Sequence, residues 1–236
     1  MFTGIVQGVA RVESVAAREG LHTLRLAFPE GFDADLAIGA SVACDGVCLT
    51  VTGRPAPGVA LFDVMAQTLA LTTLGGLAAG DGLNVERAAR EGVEIGGHPL
   101  SGHVDVSARI AEVRRPDNNH VIRFALPAPW MRYVFAKGYV GVNGCSLTVA
   151  EARRERDGSG WFEVWLIPET LRMTTFGAKA VGDAVHIEIE RSTQVVVDTV
   201  RDALDERLGP LLPVLEALAR ERGIELGQIA LPSSPD

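Results

Sequence analysis

The residues best able to do chemistry fall in two equivalent segments of the chain. Residues 42–51 read VACDGVCLTV and residues 140–149 read VGVNGCSLTV, so the two segments align at an offset of 98. The alignment pairs Cys48 with Ser146, each followed by Leu-Thr-Val. A thiol in one copy and a hydroxyl in the other, each with a threonine on the same face, indicate a duplicated polar pocket whose copies have diverged. We therefore interpret both positions as parts of a binding site.

His103 marks the most useful difference between the copies. Residues 2–6 align with residues 100–104 at the same offset, and His103 then replaces Ile5. An imidazole exchanges protons near neutral pH, so an ionisable group in one copy alone favours asymmetric work such as proton transfer. The alternative is that His103 is a core histidine whose ring nitrogens are hydrogen-bonded and that it has no part in chemistry. No chemical role is expected for the other four histidines. His98 lies at the predicted domain boundary, and His22, His120 and His186 are predicted to lie at the surface.

The spacing of Cys44 and Cys48 invites comparison with a metal site. Asp45-Gly46 between apolar runs, however, strongly favours a hairpin with a two-residue type I′ turn. Cys44 then opposes Val47 and Cys48 opposes Ala43, so the two thiols project to opposite faces. Cys44 is expected to be a small buried hydrophobe. Because no second Cys/His cluster has zinc spacing, we expect no metal.

Strands must position these residues. Apolar residues alternate with period two, as at 24, 26 and 28 and again at 185, 187 and 189. A longer repeat aligns residues 68–86 with 170–188, with nine of 19 positions identical. Short strands with frequent glycine turns favour a closed barrel, which has no exposed sheet edge. The sequence therefore predicts an all-β fold of two tandem barrels that arose by internal duplication, over residues 1–97 and 98–190.

The pattern becomes helical after Glu190. Ser192 or Thr193 can cap a helix that ends at Gly209-Pro210, and a second helical stretch is predicted to stop at Gly223. The first helix has an apolar stripe, and oligomerisation would cover it. We expect residues 191–236 to be a helical oligomerisation segment with a loose tail. The stripe of the first helix consists of Val197, Val200, Leu204 and Leu208.

Composition excludes several classes of partner. The chain has 236 residues, 47% of them hydrophobic, and a net charge of −8 with no cluster of basic residues. The sequence therefore predicts no basic surface that could bind a nucleic-acid backbone, and we expect no nucleic-acid partner. No apolar run approaches the roughly 20 residues of a membrane span, and no signal peptide is recognisable. Three cysteines suggest reduced thiols, so the expected location is cytoplasmic.

Taken together, the motifs resemble those of the riboflavin synthase family. The resemblance covers most of the chain, and the combination of segments is highly specific. The matching segments are residues 1–6, 46–52, 84–89, 94–98, 101–104, 146–149 and 167–171.

The resemblance implies a fold, an assembly and a reaction. The fold would be two six-stranded Greek-key β-barrels followed by a C-terminal helix that assembles a homotrimer. The reaction would be a dismutation, in which one molecule of 6,7-dimethyl-8-ribityllumazine gives a four-carbon unit to another. The products would be riboflavin and 5-amino-6-ribitylaminouracil, and no cofactor would be needed. One lumazine would lie on the first barrel and the other on the second barrel of a neighbouring subunit, with lumazine synthase as a further candidate partner.

The resemblance also implies site residues and roles. Ser146 would act as general acid/base or deliver a nucleophile, Cys48 would aid addition or positioning, and His103 would transfer protons. Lys137, which aligns with Gly39, would neutralise negative charge on the pyrimidine ring. The family usually has Asp at the position of Glu190. The first half-site would comprise Gly4, Ile5, Val6, Ser41, Cys48, Leu49, Thr50, Asp63, Val64, Met65, Ala66, Gln67 and Thr68, and the second Gly102, His103, Val104, Lys137, Ser146, Leu147, Thr148, Trp165, Leu166, Ile167, Pro168, Glu169 and Thr170.

Two other functions compete with the synthase. A non-catalytic lumazine- or flavin-binding protein could have the same fold, but a protein that binds in one barrel has no need to keep Cys48, His103, Lys137 and Ser146 in both halves. The flavin-binding barrel of a reductase would need a nicotinamide domain, for which the chain has neither room nor motif. An assay for turnover separates the synthase from the binding protein.

Overall fold

The computed structural model describes residues 1–117 and 119–222, and two antiparallel sheets follow one another along the chain. The strands of the first sheet are β1 (Gly8–Arg18), β2 (Leu21–Ala27), β3 (Ser41–Cys44), β4 (Val47–Ala56), β5 (Val59–Met65) and β6 (Gly82–Arg87). The strands of the second are β7 (Val106–Arg114), β8 (His120–Leu126), β9 (Tyr139–Val142), β10 (Cys145–Thr148), β11 (Glu151–Arg154), β12 (Gly160–Leu166) and β13 (Ala184–Ile189).

The first sheet closes into a six-stranded barrel in the order β1-β2-β5-β4-β3-β6, with β6 pairing back onto β1. Strands that are adjacent in the sheet but not in the chain give the Greek-key topology. Alternate residues point inward, since successive side chains in a strand face opposite sides. Leu24, Leu26 and Phe62 are fully buried in this interior. The predicted first barrel is confirmed.

The second sheet has the same order but seven strands, β10-β9-β13-β7-β8-β12-β11. The strand that corresponds to β4 is interrupted at Val149 and Ala150, so it counts as two strands, β10 and β11. These two end strands are consecutive in the chain, and the sheet curves round between them. The duplicated barrel fold is therefore confirmed, with this break as the difference from six continuous strands.

Both predicted hairpin turns are present. Asp45 and Gly46 have φ values of 45° and 82°, and Asn143 and Gly144 have φ values of 44° and 77°. Positive φ at both central residues is the mark of a type I′ turn. Cys44 pairs with Val47, as predicted. The two turns also contact each other, because a Cβ atom on Gly46 would lie 2.7 Å from the backbone nitrogen of Gly144.

A buried polar network joins the barrels beside these turns. Asn84 Nδ2 donates to the carbonyl of Asn143 at 3.0 Å, and His186 Nδ1 lies 2.8 Å from the carbonyl of Asp45. Asn84 and His186 are equivalent positions of the long repeat, so the network follows the duplication. Each side chain satisfies a turn carbonyl of the opposite barrel that would otherwise be buried without a partner.

The expectation that His186 lies at the surface is therefore wrong. Its Nε2 atom accepts a hydrogen bond from the backbone N–H of Thr73 at 2.8 Å, so Nδ1 carries the hydrogen that is donated to Asp45. Burial lowers the pKa of His186 to about 4 and keeps the ring neutral. The expectation is also wrong for His120, which is buried on the second barrel. Hydrophobic alternation alone does not reveal a histidine whose polar atoms find partners in another barrel.

Short helices connect the strands, and two longer helices follow the barrels. The helices are α1 (Ala66–Leu71), α2 (Ala128–Met131), α3 (Pro168–Met173), α4 (Arg191–Leu208) and α5 (Leu212–Glu221). The chain divides into two compact units after Arg191, and both barrels lie in the first. None of the helices in the described part of the chain is long and apolar enough to cross a membrane.

The helix α4 begins at Arg191, one residue before Ser192, so a cap at Ser192 or Thr193 is wrong. Arg191 bonds to Asp105 Oδ1 at 3.0 Å and to the carbonyl of His103 at 3.1 Å, which fixes the turn immediately after β13. The predicted end at Gly209-Pro210 is confirmed. The predicted stop at Gly223 and the loose tail lie outside the described residues.

Candidate active site

The segments that lead into the two barrels pair with each other. Phe2 and Leu100 form an antiparallel bridge, with backbone N–H groups donating in both directions at 2.8 and 3.0 Å. Both side chains are buried together with Ala43 in a small apolar cluster outside the first barrel's core. This pairing brings the glycines of the two predicted half-sites, Gly4 and Gly102, into one region between the barrels.

Each glycine segment contacts the strand of the opposite barrel. Ser146 donates its backbone N–H to the carbonyl of Gly4 at 2.8 Å, and Cys48 donates to Gly102 at the same distance. A Cβ atom on Gly4 would lie 2.5 Å from Ser146 Cβ, so only glycine fits. The sequence grouped Cys48 with Gly4 and Ser146 with Gly102. The structure instead places each strand residue against the loop that enters the other barrel.

Two buried carboxylates hold these glycine segments. Glu86 Oε1 accepts from the backbone N–H and the hydroxyl of Thr3 at 2.6 and 2.7 Å, and Oε2 accepts from Gly4 N–H at 3.0 Å. Glu188 makes the same three bonds to Ser101 and Gly102 at the same distances. Burial raises the pKa of both carboxyls, and these hydrogen bonds oppose the rise. Sequence reasoning missed these two glutamates, although each is the last residue of its copy of the 19-residue repeat.

His103 is exposed, and its backbone is fixed on both sides. Its N–H donates to Ser101 Oγ at 3.2 Å, and its carbonyl accepts from Arg191. Arg191 is itself paired with Asp105. His103 therefore presents its side chain to solvent from a fixed backbone, and its contact with a ligand stays a prediction.

Rows of outward-facing side chains flank the glycine segments. On the first barrel, Ser41 pairs with the exposed Thr50 across β3 and β4. On the second, Tyr139 pairs with Thr148 across β9 and β10, and both are exposed. Tyr139 was missed by sequence reasoning, although the offset of 98 from Ser41 points to it. The second barrel therefore presents a tyrosine where the first presents a serine.

The predicted site residues divide by the side of the strand on which they lie. Five are buried apolar side chains, so they could offer a ligand only backbone groups: Val6, Leu49, Val64, Leu147 and Leu166. Their neighbours alternate outward, since the side-chain period of a strand is two. The exposed members are Ile5, Thr50, Asp63, Met65, Ala66, Gln67, His103, Lys137, Thr148, Trp165, Ile167, Pro168 and Glu169, and the half-buried ones are Ser41, Cys48, Thr68, Val104, Ser146 and Thr170.

Lys137 has an unusual backbone conformation. Its φ is 69°, in the left-handed region, and the aligned residue of the first barrel is Gly39 with φ of 87°. Both residues donate their N–H to the equivalent carbonyl, Val149 or Val51, at 2.8 Å. The turn is thus the same in both barrels, but the second carries an exposed cation where glycine would be less strained.

A buried imidazole lies against Ser146. His98 Nδ1 is 2.6 Å from Ser146 Oγ, and the ring stacks on Tyr139 with centroids 5.5 Å apart. His98 is only 4% exposed. Burial lowers its pKa, while the negative charge of Glu190 acts the other way. The sequence offered no sign of this contact, because 48 residues separate the two side chains.

The thiols differ in their surroundings. Cys44 lies in the core of the first barrel, where burial raises the pKa of its thiol, so it is an inert buried hydrophobe as expected. Cys48 is half-buried on the opposite face of the hairpin and packs against the cluster of Phe2, Ala43 and Leu100. The predicted divergence of the two faces is confirmed.

Comparison with known proteins gives the same picture of a duplicated domain. The family model for the lumazine binding domain matches twice, at residues 3–88 and 101–190. The solved structure of LumP complexed with riboflavin superposes with a TM-score of 0.71 at 22% identity, covering 80% of this chain and all of that one. At this level of identity the similarity supports the fold alone.

Sequence relatives cover nearly the whole chain. The riboflavin synthase of Escherichia coli (strain K12) is 45% identical over 208 residues, which are 88% of this chain and 95% of that protein. The riboflavin synthase of Mycobacterium tuberculosis (strain H37Rv) is 40% identical over 203 residues, 86% of this chain and 100% of the relative. With both copies of the domain matched and such relatives aligned almost end to end, the chain belongs to the riboflavin synthase family of lumazine-binding proteins.

Proposed function

We propose that the protein is a riboflavin synthase that converts two molecules of 6,7-dimethyl-8-ribityllumazine into riboflavin and 5-amino-6-ribitylaminouracil. The observation that carries the proposal is a duplicated site with unequal surroundings. Cys48 and Ser146 occupy equivalent positions, but only the second copy adds His103 and Lys137. A reaction in which two identical molecules play different roles needs two similar binding sites that carry different reactive side chains.

The proposed half-sites belong to residues 1–97 and 98–190. Holding two flat heterocycles face to face removes much of the entropic barrier to a bimolecular reaction. His103 is exposed on a fixed backbone and would transfer protons, and Lys137 would neutralise negative charge on a pyrimidine ring. Cys48 would aid addition or positioning, and Ser146 would serve as acid/base. No cofactor is required by this chemistry.

The proposed assembly is a homotrimer in which the first barrel of one subunit faces the second barrel of its neighbour. Exposed apolar side chains on α4 support it, since water contact with such a stripe is unfavourable. Exposed Met65, Trp165 and Ile167 would likewise be covered at the shared site. The exposed residues of α4 are Val195, Val196, Val200, Leu204 and Leu208.

The proposed location is the cytoplasm, which the three unpaired cysteines support. Contact with lumazine synthase is a prediction that rests on the family resemblance alone. It can be tested by sedimentation of the two purified proteins together.

An assay with the purified protein tests the function. The protein is mixed with 6,7-dimethyl-8-ribityllumazine, and riboflavin is followed by absorbance while both products are quantified by chromatography. We expect two lumazines to be consumed for each riboflavin and each pyrimidine formed. Tight binding without turnover would overturn the synthase and favour the non-catalytic lumazine-binding protein.

A further inference from the structure

The side chain of Ser146 is enclosed on two sides by glycine backbone. A Cβ atom on Gly97 would lie 2.7 Å from Ser146 Cβ and 3.1 Å from Oγ, and Gly4 is equally close on another side. The backbone of Ser146 is held at the same time by the carbonyl of Gly4. The hydroxyl therefore has a defined position, and Nδ1 of His98 lies 2.6 Å from it.

The equivalent residue, Cys48, has the same backbone setting without the imidazole. A Cβ atom on Gly102 would lie 2.6 Å from Cys48 Cβ, which mirrors the contact of Gly4 with Ser146. Among residues 1–117 and 119–222, the structure gives Cys48 Sγ no hydrogen-bonded histidine. The imidazole thus accounts for part of the difference between the two half-sites, in addition to His103 and Lys137.

The tautomer of His98 sets the direction of this hydrogen bond, because a hydroxyl can donate or accept. Burial lowers the pKa of His98 and favours the neutral ring, which has one nitrogen free to accept. In the tautomer that carries its hydrogen on Nε2, Ser146 donates to Nδ1. Nε2 of His98 is buried without a hydrogen-bond partner in the described part of the chain.

We propose that His98 is the positioning residue of Ser146, orienting its hydroxyl and receiving its proton while Ser146 Oγ takes a proton from the bound heterocycle. This inference rests on the proposed function. In the step, a C–H bond of the acidic 7-methyl group of one lumazine breaks and its electron pair stays on the substrate. The proton bonds to Oγ as the original hydroxyl proton moves to Nδ1, and the return of both protons restores the pair.

The groups around the ring suit this role. Tyr139 covers one face of the imidazole, and the charge of Glu190 stabilises the imidazolium that forms when Nδ1 takes the proton. Desolvation opposes that charge and keeps His98 neutral before the reaction. A base that is neutral before the reaction and has a carboxylate near it when it takes the proton is suited to proton transfer near neutral pH.

Two substitutions at His98 separate orientation from proton acceptance. In His98→Asn, the amide can replace Nδ1 as a hydrogen-bond acceptor for Ser146 but cannot take its proton, whereas His98→Ala removes both. We expect kcat to fall at least 100-fold in both variants, with KM within about threefold of wild type in His98→Asn. The pH profile of kcat in His98→Asn should lack the acid limb that His98 contributes. His103 is still present in this variant, so the loss can be assigned to His98. Asp157→Asn, in the exposed turn between β11 and β12 and outside both half-sites, is the control and should keep wild-type kcat.

Two kinetic results would overturn the proton-accepting role. One is a kcat for His98→Asn within threefold of wild type, which would reduce His98 to an orienting contact. The other is a double variant Ser146→Ala/His98→Asn whose loss is the product of the two single losses, because residues that act as a unit are not additive. We expect the double variant to be no worse than the worse single one.

A measurement without turnover keeps the inference separate from the proposed function. The His98 ring is titrated by NMR in the full-length protein and in Ser146→Ala, with the thermal midpoint recorded for both. We expect the wild-type ring to titrate below the ordinary value for histidine and to shift on removal of the hydroxyl. An unshifted ring in both proteins would overturn the pair even if riboflavin is formed. If the pair is present but no lumazine is consumed, the proposed function fails and the relay to the lumazine methyl group fails with it.

Discussion

Lys137 carries a backbone strain that its counterpart in the first barrel, Gly39, avoids. A lysine in the left-handed region costs about 1–2 kcal/mol relative to a right-handed conformation, and the aligned Gly39 avoids most of that cost. Strain of this kind persists where the surrounding structure enforces it, and it is frequent at functional sites. The exposed position of Lys137 therefore supports its assignment to ligand binding.

The substitution Lys137→Gly should separate stability from activity. We expect the free energy of unfolding to rise by up to about 1 kcal/mol, since relief of strain outweighs the added entropy of the unfolded chain. Turnover should fall at least tenfold, because the cation proposed to neutralise the pyrimidine ring is lost. Denaturant unfolding and the riboflavin assay measure the two effects. Gly39→Lys is the reciprocal control and should lower stability with little change in turnover, and equal losses of turnover in both variants would contradict the assignment.

Ser146 and His103 are expected to act on turnover more than on binding. Both lie in the second barrel and differ from their aligned residues, Cys48 and Ile5, so their chemistry is not duplicated. We expect Ser146→Ala and His103→Ala each to reduce kcat at least tenfold while the dissociation constant for the lumazine changes by less than threefold. Fluorescence titration gives the binding constant. Unchanged turnover in both variants would refute the roles given to them.

At the scale of elements, the two type I′ hairpins do more than reverse the chain. Their glycines contact each other across the barrels, and the side chains of Asn84 and His186 bind the turn carbonyls. The turns thus set how closely the strands that carry Cys48 and Ser146 approach. Each turn residue named here therefore serves the junction between the barrels as well as its own hairpin.

Gly46→Ala should therefore cost more than an ordinary glycine substitution at positive φ. Gly58→Ala is the matched control, since its φ is 72° and its added Cβ would meet nothing within 4 Å. Both variants carry the conformational cost of about 1–2 kcal/mol, but only Gly46→Ala forces backbone apart, at about 1–3 kcal/mol more. Denaturant unfolding measures both. Equal costs would show that the contact between the turns has no energetic weight.

Asp45 makes the junction sensitive to pH. Burial raises the pKa of its carboxyl to about 7, with the Asn84 N–H and Lys179 opposing the rise. Between about pH 4 and 7 the folded state binds more protons at Asp45 than the unfolded state, so its contribution to stability falls as pH rises. His186, with its pKa lowered to about 4, acts in the opposite direction between about pH 4 and 6.5.

The substitution Asp45→Asn should remove the first of these opposing effects. We expect the stability of the variant, relative to wild type, to increase steadily from pH 4 to pH 7, as followed by thermal unfolding. Asparagine already fills the equivalent turn position at Asn143, so the turn itself is retained. Asp81→Asn, at an exposed position, is the control. A stability difference that does not vary with pH would exclude titration of Asp45 in this range.

At the scale of the whole molecule, the helices after the barrels are expected to control assembly. The barrels form a compact unit that ends at Arg191, whereas α4 exposes a row of valines and leucines. Burying such residues between subunits stabilises an oligomer at about 25 cal/mol per Å² of apolar area. If each active site is shared between neighbours, activity depends on this contact.

Ending the chain before Thr193 should leave folded monomers of low activity. A chain that ends at Leu211 retains α4 without α5 and serves as the control, which we expect to remain assembled and active. Sedimentation gives the mass of each form, and circular dichroism verifies that the barrels are folded. An active monomer would contradict a site shared between subunits.

The sequence by itself determined the duplication, the barrel class, the register at both hairpins and the burial of Cys44. These properties depend on local rules, namely the alternation of strand side chains and the need for positive φ at Asp45-Gly46 and Asn143-Gly144. It also placed His103 and Lys137 where the copies differ, because repeats can be compared letter by letter.

Only the tertiary structure decided which residues meet between the barrels. Ser146 lies against Gly4 and His98, Cys48 lies against Gly102, and His186 is buried at a turn of the other barrel. These contacts join residues 48 to 142 positions apart, and they follow from how the two barrels pack against each other. Periodicity and turn chemistry report on near neighbours in the chain, so no local pattern could have revealed them.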